Sequence, residues 1–202
     1  MLRKRVFDLA ASISGIIVLA PLFAVVALAI KLDTPGPVFF RQERIGRGEV
    51  PFRIHKFRTM TNTRPGEGSQ ITVGADPRIT RVGRWLRKLK IDELPQILDV
   101  IAGRMSFVGP RPEVPRYVAY YPPVYRARVF AVRPGITDYA SIRFRNESEI
   151  LEKSANPEQT YVEEIIVQKL KLNMEYIENM GIIRDLSIIL RTLVSIIQPH
   201  RG

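Results

Sequence analysis

The chain has 202 residues, with 31 Lys and Arg against 20 Asp and Glu, which gives a formal net charge of +11. This length favours one domain with one core. The positive surplus attracts anions such as nucleotides, phospholipids or nucleic acids, without choosing among them. The chain has no cysteine, which excludes disulfides, thiolate zinc sites and cysteine nucleophiles. Any catalysis must therefore use oxygen or nitrogen groups.

The first predicted element is an apolar helix. The stretch from Leu9 to Ile30 carries no charge and is long enough to cross a hydrocarbon core about 30 Å thick. Pro21 lies inside it and predicts a kink, because proline removes a backbone donor and clashes with the preceding turn. Basic residues flank both ends, which favours entry and exit by one leaflet. We therefore predict a re-entrant membrane helix at 1–32 and a cytoplasmic-face catalytic domain at 33–202.

Three other interpretations of this helix remain open. A straight helix would span the membrane. Ala27-Leu28-Ala29 resembles a signal-peptide cleavage site, although the apolar run is long for a signal peptide and Lys31 follows at once. A buried core helix would be equally apolar, but so long a run is rare in a soluble domain of this size.

The next segment predicts a β-hairpin. Asp33-Thr34-Pro35-Gly36-Pro37 ends the helix, and the stretches 38–40 and 52–54 read as strands around Gly46-Arg47-Gly48. The basic side chains of this hairpin predict that it lies near the phosphates of a lipid surface or of a ligand. A charged hairpin that simply faces solvent is the alternative. Residues 61–76 are polar and Gly-rich, which predicts a mobile loop over a site.

The remaining elements are predicted to be mainly helical. Apolar residues from Val82 to Leu89 share one face of a basic amphipathic helix, and two more helices flank Gly181. Charges in the last helix argue against a span, so it lies on the membrane surface or packs on the core. The predicted fold is α+β: a helix-rich single catalytic domain with a small β-hairpin, the re-entrant helix and interfacial amphipathic helices.

An acidic pair begins the most informative helix. Pro95 is best tolerated in a first turn, so the helix is predicted to start near Asp92, with Glu93 beside it. Both side chains could simply cap the helix. Many basic residues surround the pair in sequence, and carboxylates among cations stay ionised. An ionised Asp can attack phosphorus and a neighbouring Glu can hold a divalent metal, so the pair suits phosphoryl transfer.

Five motifs, in order along nearly the whole chain, resemble the bacterial sugar transferases described as monotopic phosphoglycosyl transferases. Ordered motifs are far more specific than a single dipeptide. The motifs are the apolar N-terminus with Pro21, Lys56-Phe57-Arg58-Thr59-Met60, Asp92-Glu93-Leu94-Pro95-Gln96, Met105-Ser106-Phe107-Val108-Gly109-Pro110-Arg111-Pro112 and Arg133-Pro134-Gly135-Ile136-Thr137.

The resemblance implies a reaction. Asp92 would attack the β-phosphate of a UDP-sugar, release UMP and carry a covalent phosphosugar that polyprenyl (undecaprenyl) phosphate then takes. Glu93 would bind Mg²⁺. The residues implied or considered for binding nucleotide or phosphate groups are Arg87, Arg111, Arg145, Lys56, Arg58 and Arg133.

The resemblance also implies a location and partners. The protein would be monotopic, on the cytoplasmic face of the bacterial inner membrane and in contact with phospholipids. It would act in the first membrane step of glycoconjugate or polysaccharide biosynthesis. No nucleic acid is among the expected partners, and no oligomeric state is predicted.

The chain departs from the family pattern at two places. Arg104 stands where many relatives have an acidic residue, and the run Asp138-Tyr139-Ala140-Ser141-Ile142 replaces Gly-Leu-Ala-Gln-Val. The second change indicates a different sugar pocket, so the sugar is not predicted. With only His55 and His200 in the chain, a histidine metal site or dyad is not expected, and both are interpreted as structural.

Two other functions compete with catalysis. The net charge and the basic helix would also suit a nucleic-acid-binding protein, although no known nucleic-acid module is recognisable. A membrane scaffold without activity would use the acidic pair only as helix caps.

Overall fold

The structure, a computed structural model, describes residues 2–61 and 76–197. The predicted loop at 61–76 and His200 therefore lie almost wholly outside the described residues. The α-helices are α1 Leu2–Asp33, α2 Arg81–Lys88, α3 Ile97–Ile101, α4 Pro115–Val118, α5 Pro123–Val129, α6 Tyr139–Arg143, α7 Glu147–Glu152, α8 Pro157–Thr160, α9 Ile166–Glu178 and α10 Ile182–Ile197. The strands are β1 Phe39–Ile45, β2 Pro51–Phe57, β3 Ser106–Val108 and β4 Gly135–Thr137.

Helix α1 runs unbroken through Pro21, and the kink predicted there stays a prediction. It is long and apolar enough to cross a membrane, and only 11% of its most apolar window is buried. The interpretation of this segment as a buried core helix is therefore wrong. The helix ends at Asp33, where the run of Pro and Gly begins, as predicted.

One face of α1 packs against the rest of the protein near both ends. Towards the start, Asp8 and Ser12 are buried, and Arg5 donates to Val100 O at 2.6 Å. Towards the end, Val26 and Ile30 join the apolar cluster that contains Phe57 and Leu86. Both ends of the apolar helix are therefore attached to the same folded unit.

Strands β1 and β2 form the predicted hairpin. They pair antiparallel from Phe39 opposite Phe57 to Ile45 opposite Pro51, so each strand is longer than the sequence indicated. The connecting 3-10 turn Arg47–Glu49 contains Gly48 at φ 68°, a conformation that glycine adopts without steric cost.

Strands β3 and β4 form a short parallel pair that the sequence did not predict. Ser106 lies opposite Gly135 and Val108 opposite Thr137. A Cβ built on Gly135 would lie 2.1 Å from the backbone N of Gly109. The two Gly-Pro motifs therefore touch through bare backbone, and this contact fixes the turn that precedes Arg111.

The C-terminal half is helical, which together with the hairpin confirms the α+β class. Its core includes Val118, Phe130, Leu151, Ile166 and Leu170. As predicted, two long helices flank Gly181. The exposed apolar residues of α10 are Ile183, Leu186, Leu190, Leu193, Val194 and Ile197.

Candidate active site

The acidic pair lies on a 3-10 segment, Ile91–Gln96, rather than in the first turn of an α-helix. Pro95 explains the difference, because it has no N–H to bond the carbonyl four residues back. The segment begins one residue before the predicted start, directly after Lys90, which adopts a left-handed φ of 55°. This backbone turn directs the chain from α2 into the acidic pair.

Asp92 is 93% buried, and its Oδ1 has no hydrogen-bond partner within the described residues. The residue at the cap position is Lys90, and no side-chain cap bond is formed there. The Asp92 carboxylate therefore does not cap the segment in the described structure, which counts against the scaffold interpretation. A buried carboxylate oxygen without a donor costs stability.

Glu93 is ion-paired with two cations. Lys56 Nζ donates to Oε1 at 2.9 Å, Arg111 Nη1 donates to Oε2 at 2.9 Å, and Arg111 Nη2 also contacts Oε1. Strand β2 brings Lys56, and the turn after β3 brings Arg111. Three of the five motifs therefore meet at one carboxylate.

The two neighbouring carboxyl groups have opposite electrostatics. Burial opposes the charge on Glu93, but Arg111 and Lys56 outweigh it and hold the pKa of Glu93 well below its usual value. Burial, and then the negative charge of Glu93, raise the pKa of Asp92. The surrounding cations therefore favour the charged form of Glu93, as expected, whereas at Asp92 burial outweighs the cations and raises the pKa.

Asp138 holds Arg111 in place. Its Oδ2 accepts from Arg111 N at 3.1 Å, while its Oδ1 caps α6 by accepting from Ser141 N at 2.6 Å. The Arg111 side chain also donates to Ile136 O at 3.2 Å. The departure from the family pattern at Asp138 therefore contributes directly to the position of Arg111.

Two more arginines contribute positive charge to this site. Arg87 donates to Thr59 Oγ1 at 2.9 Å; burial lowers the pKa of Arg87, and the charge of Asp92 opposes that effect. Arg44 donates to Pro112 O at 3.1 Å; burial lowers the pKa of Arg44, and Glu113 opposes it. We name the set Asp92, Glu93, Lys56, Arg87 and Arg111 the acidic-pair cluster.

The other predicted site residues have contacts elsewhere. Arg58 donates to Thr34 O and Pro35 O, both at 2.6 Å, so it binds the end of α1. Arg133 Nε donates to Gly103 O at 2.8 Å and lines a different cleft. Arg145 Nη2 contacts Ile196 O in α10 at 3.3 Å.

Asp99 organises a buried network behind the pair. It is fully buried and accepts from His55 N at 2.8 Å, from His55 Nδ1 at 2.9 Å and from Arg104 Nε at 3.2 Å. His55 is therefore held by a buried carboxylate, and its structural role stays a prediction. Arg104, the departure from the acidic family residue, supplies the cation for Asp99.

Sequence reasoning missed Arg44, Gln96, Asp99 and Asp138. Gln96 is fully buried one turn after Asp92, and neither of its amide atoms has a partner in the described part of the chain. For Asp138 a signal existed, since the motif changes there. For Arg44 and Asp99, only the packing of distant elements reveals the contacts, and for Gln96 only the folded chain reveals the burial.

The acidic-pair cluster fits a magnesium ion carried by a substrate better than a resident one. Over residues 2–61 and 76–197, no group of three or more metal-ligating side chains occurs. Mg²⁺ commonly uses one or two carboxylates together with substrate phosphates and water. Glu93 Oε2 accepts a single hydrogen bond, so Glu93 is the carboxylate that would hold such an ion, while Asp92 Oδ1 has no hydrogen-bond partner in the described part of the chain.

The chain as a whole matches a known protein family. The family described as bacterial sugar transferase matches residues 1–199. This chain belongs to that family. The transferase predicted from the five motifs is confirmed, and the bacterial sugar transferases are membrane-associated, in agreement with the apolar α1.

Several bacterial proteins are similar over nearly the whole chain. The UDP-glucose:undecaprenyl-phosphate glucose-1-phosphate transferase of Caulobacter vibrioides is 42% identical, over 97% of this chain and 70% of that protein. The exopolysaccharide production protein PSS of Rhizobium leguminosarum bv. phaseoli is 38% identical, over 98% of this chain and 97% of that protein. The UDP-N-acetylgalactosamine-undecaprenyl-phosphate N-acetylgalactosaminephosphotransferase of Aeromonas hydrophila is 37% identical, over 96% of this chain and 43% of that protein.

These relatives bear on the competing functions and on the sugar. None of their names describes nucleic-acid binding or a scaffold, so neither alternative is favoured. Their named donors differ between glucose and N-acetylgalactosamine. The chain spans less than half of the Aeromonas protein, which has additional sequence.

Proposed function

We propose that this bacterial sugar transferase moves a sugar-1-phosphate from a UDP-sugar to undecaprenyl phosphate and releases UMP. The buried, unpartnered oxygen of Asp92 beside a neutralised Glu93 carries the proposal. The named activities of the Caulobacter and Aeromonas relatives support the substrate classes. The PSS relative supports a role in exopolysaccharide synthesis.

In the first step, a carboxylate oxygen of Asp92 forms a bond to the β-phosphorus of the UDP-sugar. The bond between that phosphorus and the bridging oxygen breaks, and UMP leaves with the electron pair. Burial of Asp92 leaves its attacking oxygen without a hydrogen-bond donor that would have to be displaced. A magnesium ion bound with the diphosphate would neutralise part of its charge.

In the second step, a phosphate oxygen of undecaprenyl phosphate attacks the same phosphorus. The Asp92–phosphorus bond breaks, which restores the carboxylate and gives the lipid diphosphate sugar. Arg87 and Arg111 supply fixed positive charge to the phosphate oxygens in both steps. Lys56 keeps Glu93 neutralised while the phosphates are bound.

We propose a monotopic position in the inner membrane, with the domain on the cytoplasmic face. Arg5 near the start of α1 and Arg58 beyond its end both bind the helix to the same domain, which supports entry and exit by one leaflet. A bend at Pro21 would turn the second half of α1 back towards the leaflet by which the helix entered. The exposed apolar face of α10 supports an interfacial position for that helix.

The chemistry is tested with Asp92→Asn, which removes the anionic nucleophile while nearly preserving shape. Purified protein in detergent receives undecaprenyl phosphate and a panel of UDP-sugars, and UMP release is measured. Quenched reactions are digested, and the mass of the peptide that contains Asp92 is measured by mass spectrometry. In the unmodified protein we expect a phosphosugar adduct on this peptide, whose mass identifies the class of sugar. In the variant we expect turnover to fall at least about 10³-fold.

The control variant Glu43→Gln removes an exposed carboxylate from β1 and should keep full turnover. Unmodified Asp92 peptide during continued product formation would contradict the covalent route. Full turnover in Asp92→Asn would contradict the role of this side chain.

The membrane path is tested with single cysteines, since the chain has none of its own. Leu2 is 80% and Leu32 is 79% exposed, so Leu2→Cys and Leu32→Cys give matched labels at the two ends of α1. An impermeant maleimide should label both in inside-out vesicles and neither in right-side-out vesicles. Labelling of one site in each preparation would show a spanning helix instead.

A further inference from the structure

A second cleft lies between the start of α1, the hairpin turn and the segment before β4. It is a shallow, partly open cleft, and its lining includes Lys4, Arg5, Arg47 and Arg133. We name it the basic cleft. No member of the acidic-pair cluster lines it, so it is a different site from the one that holds Asp92.

Three of the four cations have no carboxylate partner among the described residues. Arg5 donates to the carbonyls of Val100 and Ile101, Arg133 donates to that of Gly103, and the exposed Arg47 makes no ion pair. Backbone carbonyls orient a guanidinium without neutralising it. Asp8 also lines the cleft, but its Oδ1 accepts from Phe107 N at 3.4 Å.

The arginines repel one another across this cleft. Burial, followed by the charges of Arg5 and Arg47, lowers the pKa of Arg133, and the charge of Asp8 only partly opposes that effect. Lys4 is paired with Asp185 at 2.5 Å and adds little to this repulsion. An anion placed among the three guanidiniums would relieve it.

A buried hydroxyl completes the polar lining of the cleft. Ser106 is 99% buried, and its Oγ has no hydrogen-bond partner within the described ranges. It lines the basic cleft beside the apolar wall formed by Val108 and Val132. An unused hydroxyl donor together with guanidinium donors is the chemistry that recognises phosphate oxygens.

The surroundings of the cleft identify the kind of phosphate. Leu2 and Val6, which flank Lys4 and Arg5 in α1, are 80% and 59% exposed, and Ile183 at the start of α10 is 86% exposed. Apolar surface thus lies on both sides of the cations. Acyl chains can cover this surface while a headgroup occupies the cleft.

We propose that the basic cleft binds the phosphate of an anionic phospholipid headgroup at the membrane surface. Arg47 and Arg133 contact the phosphate oxygens, and Ser106 donates a hydrogen bond from the wall. The bound lipid orients the start of α1 relative to the domain. This inference depends on the proposed membrane position of α1 and not on the transfer chemistry.

The test counts bound lipid by native mass spectrometry of the full chain in detergent. The probes are dioctanoyl phosphatidylglycerol and dioctanoyl phosphatidylcholine, whose choline brings a cation into the cleft. The variants are Arg47→Gln and Ser106→Ala. The matched control is Arg53→Gln, which removes an exposed arginine from the same hairpin, outside the cleft.

We expect one phosphatidylglycerol bound in preference to phosphatidylcholine by the unmodified protein and by Arg53→Gln. Removal of the Arg47 charge should weaken phosphatidylglycerol binding about fivefold. Ser106→Ala should weaken it as well, at unchanged thermal stability. Equal losses in Arg47→Gln and Arg53→Gln, or no preference between the lipids, would overturn the proposal.

The same preparations distinguish this proposal from the proposed function. UMP release by the unmodified protein is assayed with and without phosphatidylglycerol. Absent UMP release together with specific lipid binding would contradict only the proposed reaction. Normal UMP release without lipid preference would contradict only the proposed lipid binding in the basic cleft.

Discussion

Arg111 binds Glu93 with both terminal nitrogens of its guanidinium: Nη1 donates to Oε2 at 2.9 Å, and Nη2 contacts Oε1. The two side chains are 34% and 15% exposed. Lys56 adds a third contact to the same carboxylate. The charge of Glu93 is therefore neutralised within the protein, and Asp92 is the member of the pair with an oxygen that has no hydrogen-bond partner among the described residues.

Arg111→Lys should lower turnover strongly. Lysine keeps the charge but loses the planar fork that fixes Glu93 and meets phosphate oxygens in pairs. We expect UMP release to fall about 10² to 10³-fold. The measurement is steady-state UMP release together with a thermal melt.

Arg126→Lys is the matched control for that variant. Arg126 also makes a two-contact pair, with Glu49 at 2.8 and 2.6 Å, but both side chains are about 40% exposed. Solvent screening makes such pairs weak. Unchanged turnover is expected, and a similar loss in both variants would contradict a special role for Arg111.

Asp92→Asn should melt at a higher temperature than the unmodified protein at neutral pH. The pKa of Asp92 is raised on folding by burial and by Glu93, so ionised Asp92 reduces stability as pH rises through the folded pKa. Below the pKa of the unfolded chain, Asp92 is protonated in both states and the difference should vanish. Melting curves across pH check this, and a variant less stable at neutral pH would contradict the assigned direction.

Lys56→Met should move the acid limb of the pH profile upwards. Asp92 must lose its proton to attack, and the charge of Lys56 lowers the pKa of Asp92 against the effect of burial. Without that charge, the pKa of Asp92 rises, and activity is lost at a higher pH as the solution is acidified. The measurement is UMP release against pH. Lys171→Met, at an exposed position in α9, should leave the profile in place.

Gly135→Ala should disrupt the contact between the two Gly-Pro motifs. The new Cβ would meet Gly109 N at 2.1 Å, and backbone rather than a flexible side chain would have to move. We expect a loss of about 1–3 kcal/mol in unfolding free energy, together with lower UMP release because Arg111 follows the displaced turn. At Gly181, a Cβ has no neighbour within 4 Å in the described structure, so Gly181→Ala should be nearly neutral.

Arg104→Asp should destabilise the fold through Asp99. It replaces the cation beside a fully buried carboxylate with a like charge. The expected loss in unfolding free energy is about 1–2 kcal/mol, modest because Arg104 is 40% exposed. Adding Asp99→Asn should restore most of it, because the amide cannot carry the repelled charge. Additive losses in the double variant would exclude the coupling.

The sequence by itself determined the long N-terminal helix, the β-hairpin and the transferase family. The apolar run ending at Asp33 determined α1, and Gly46 and Gly48 determined the turn of the hairpin. The neighbours Asp92 and Glu93 and the ordered motifs indicated phosphoryl transfer. Such features depend on residues that are close in the chain, where periodicity, breakers and turn chemistry act directly.

Only the tertiary structure decided which charges meet. It placed Lys56 and Arg111 on Glu93, assigned Arg58 to the end of α1 and moved Arg133 into the basic cleft. It also buried Asp92 deeply enough to raise the pKa of that carboxyl group despite the surrounding cations. Burial and pairing arise from contacts between residues far apart in the chain, and a linear pattern contains neither the depth of a side chain nor the direction in which it points.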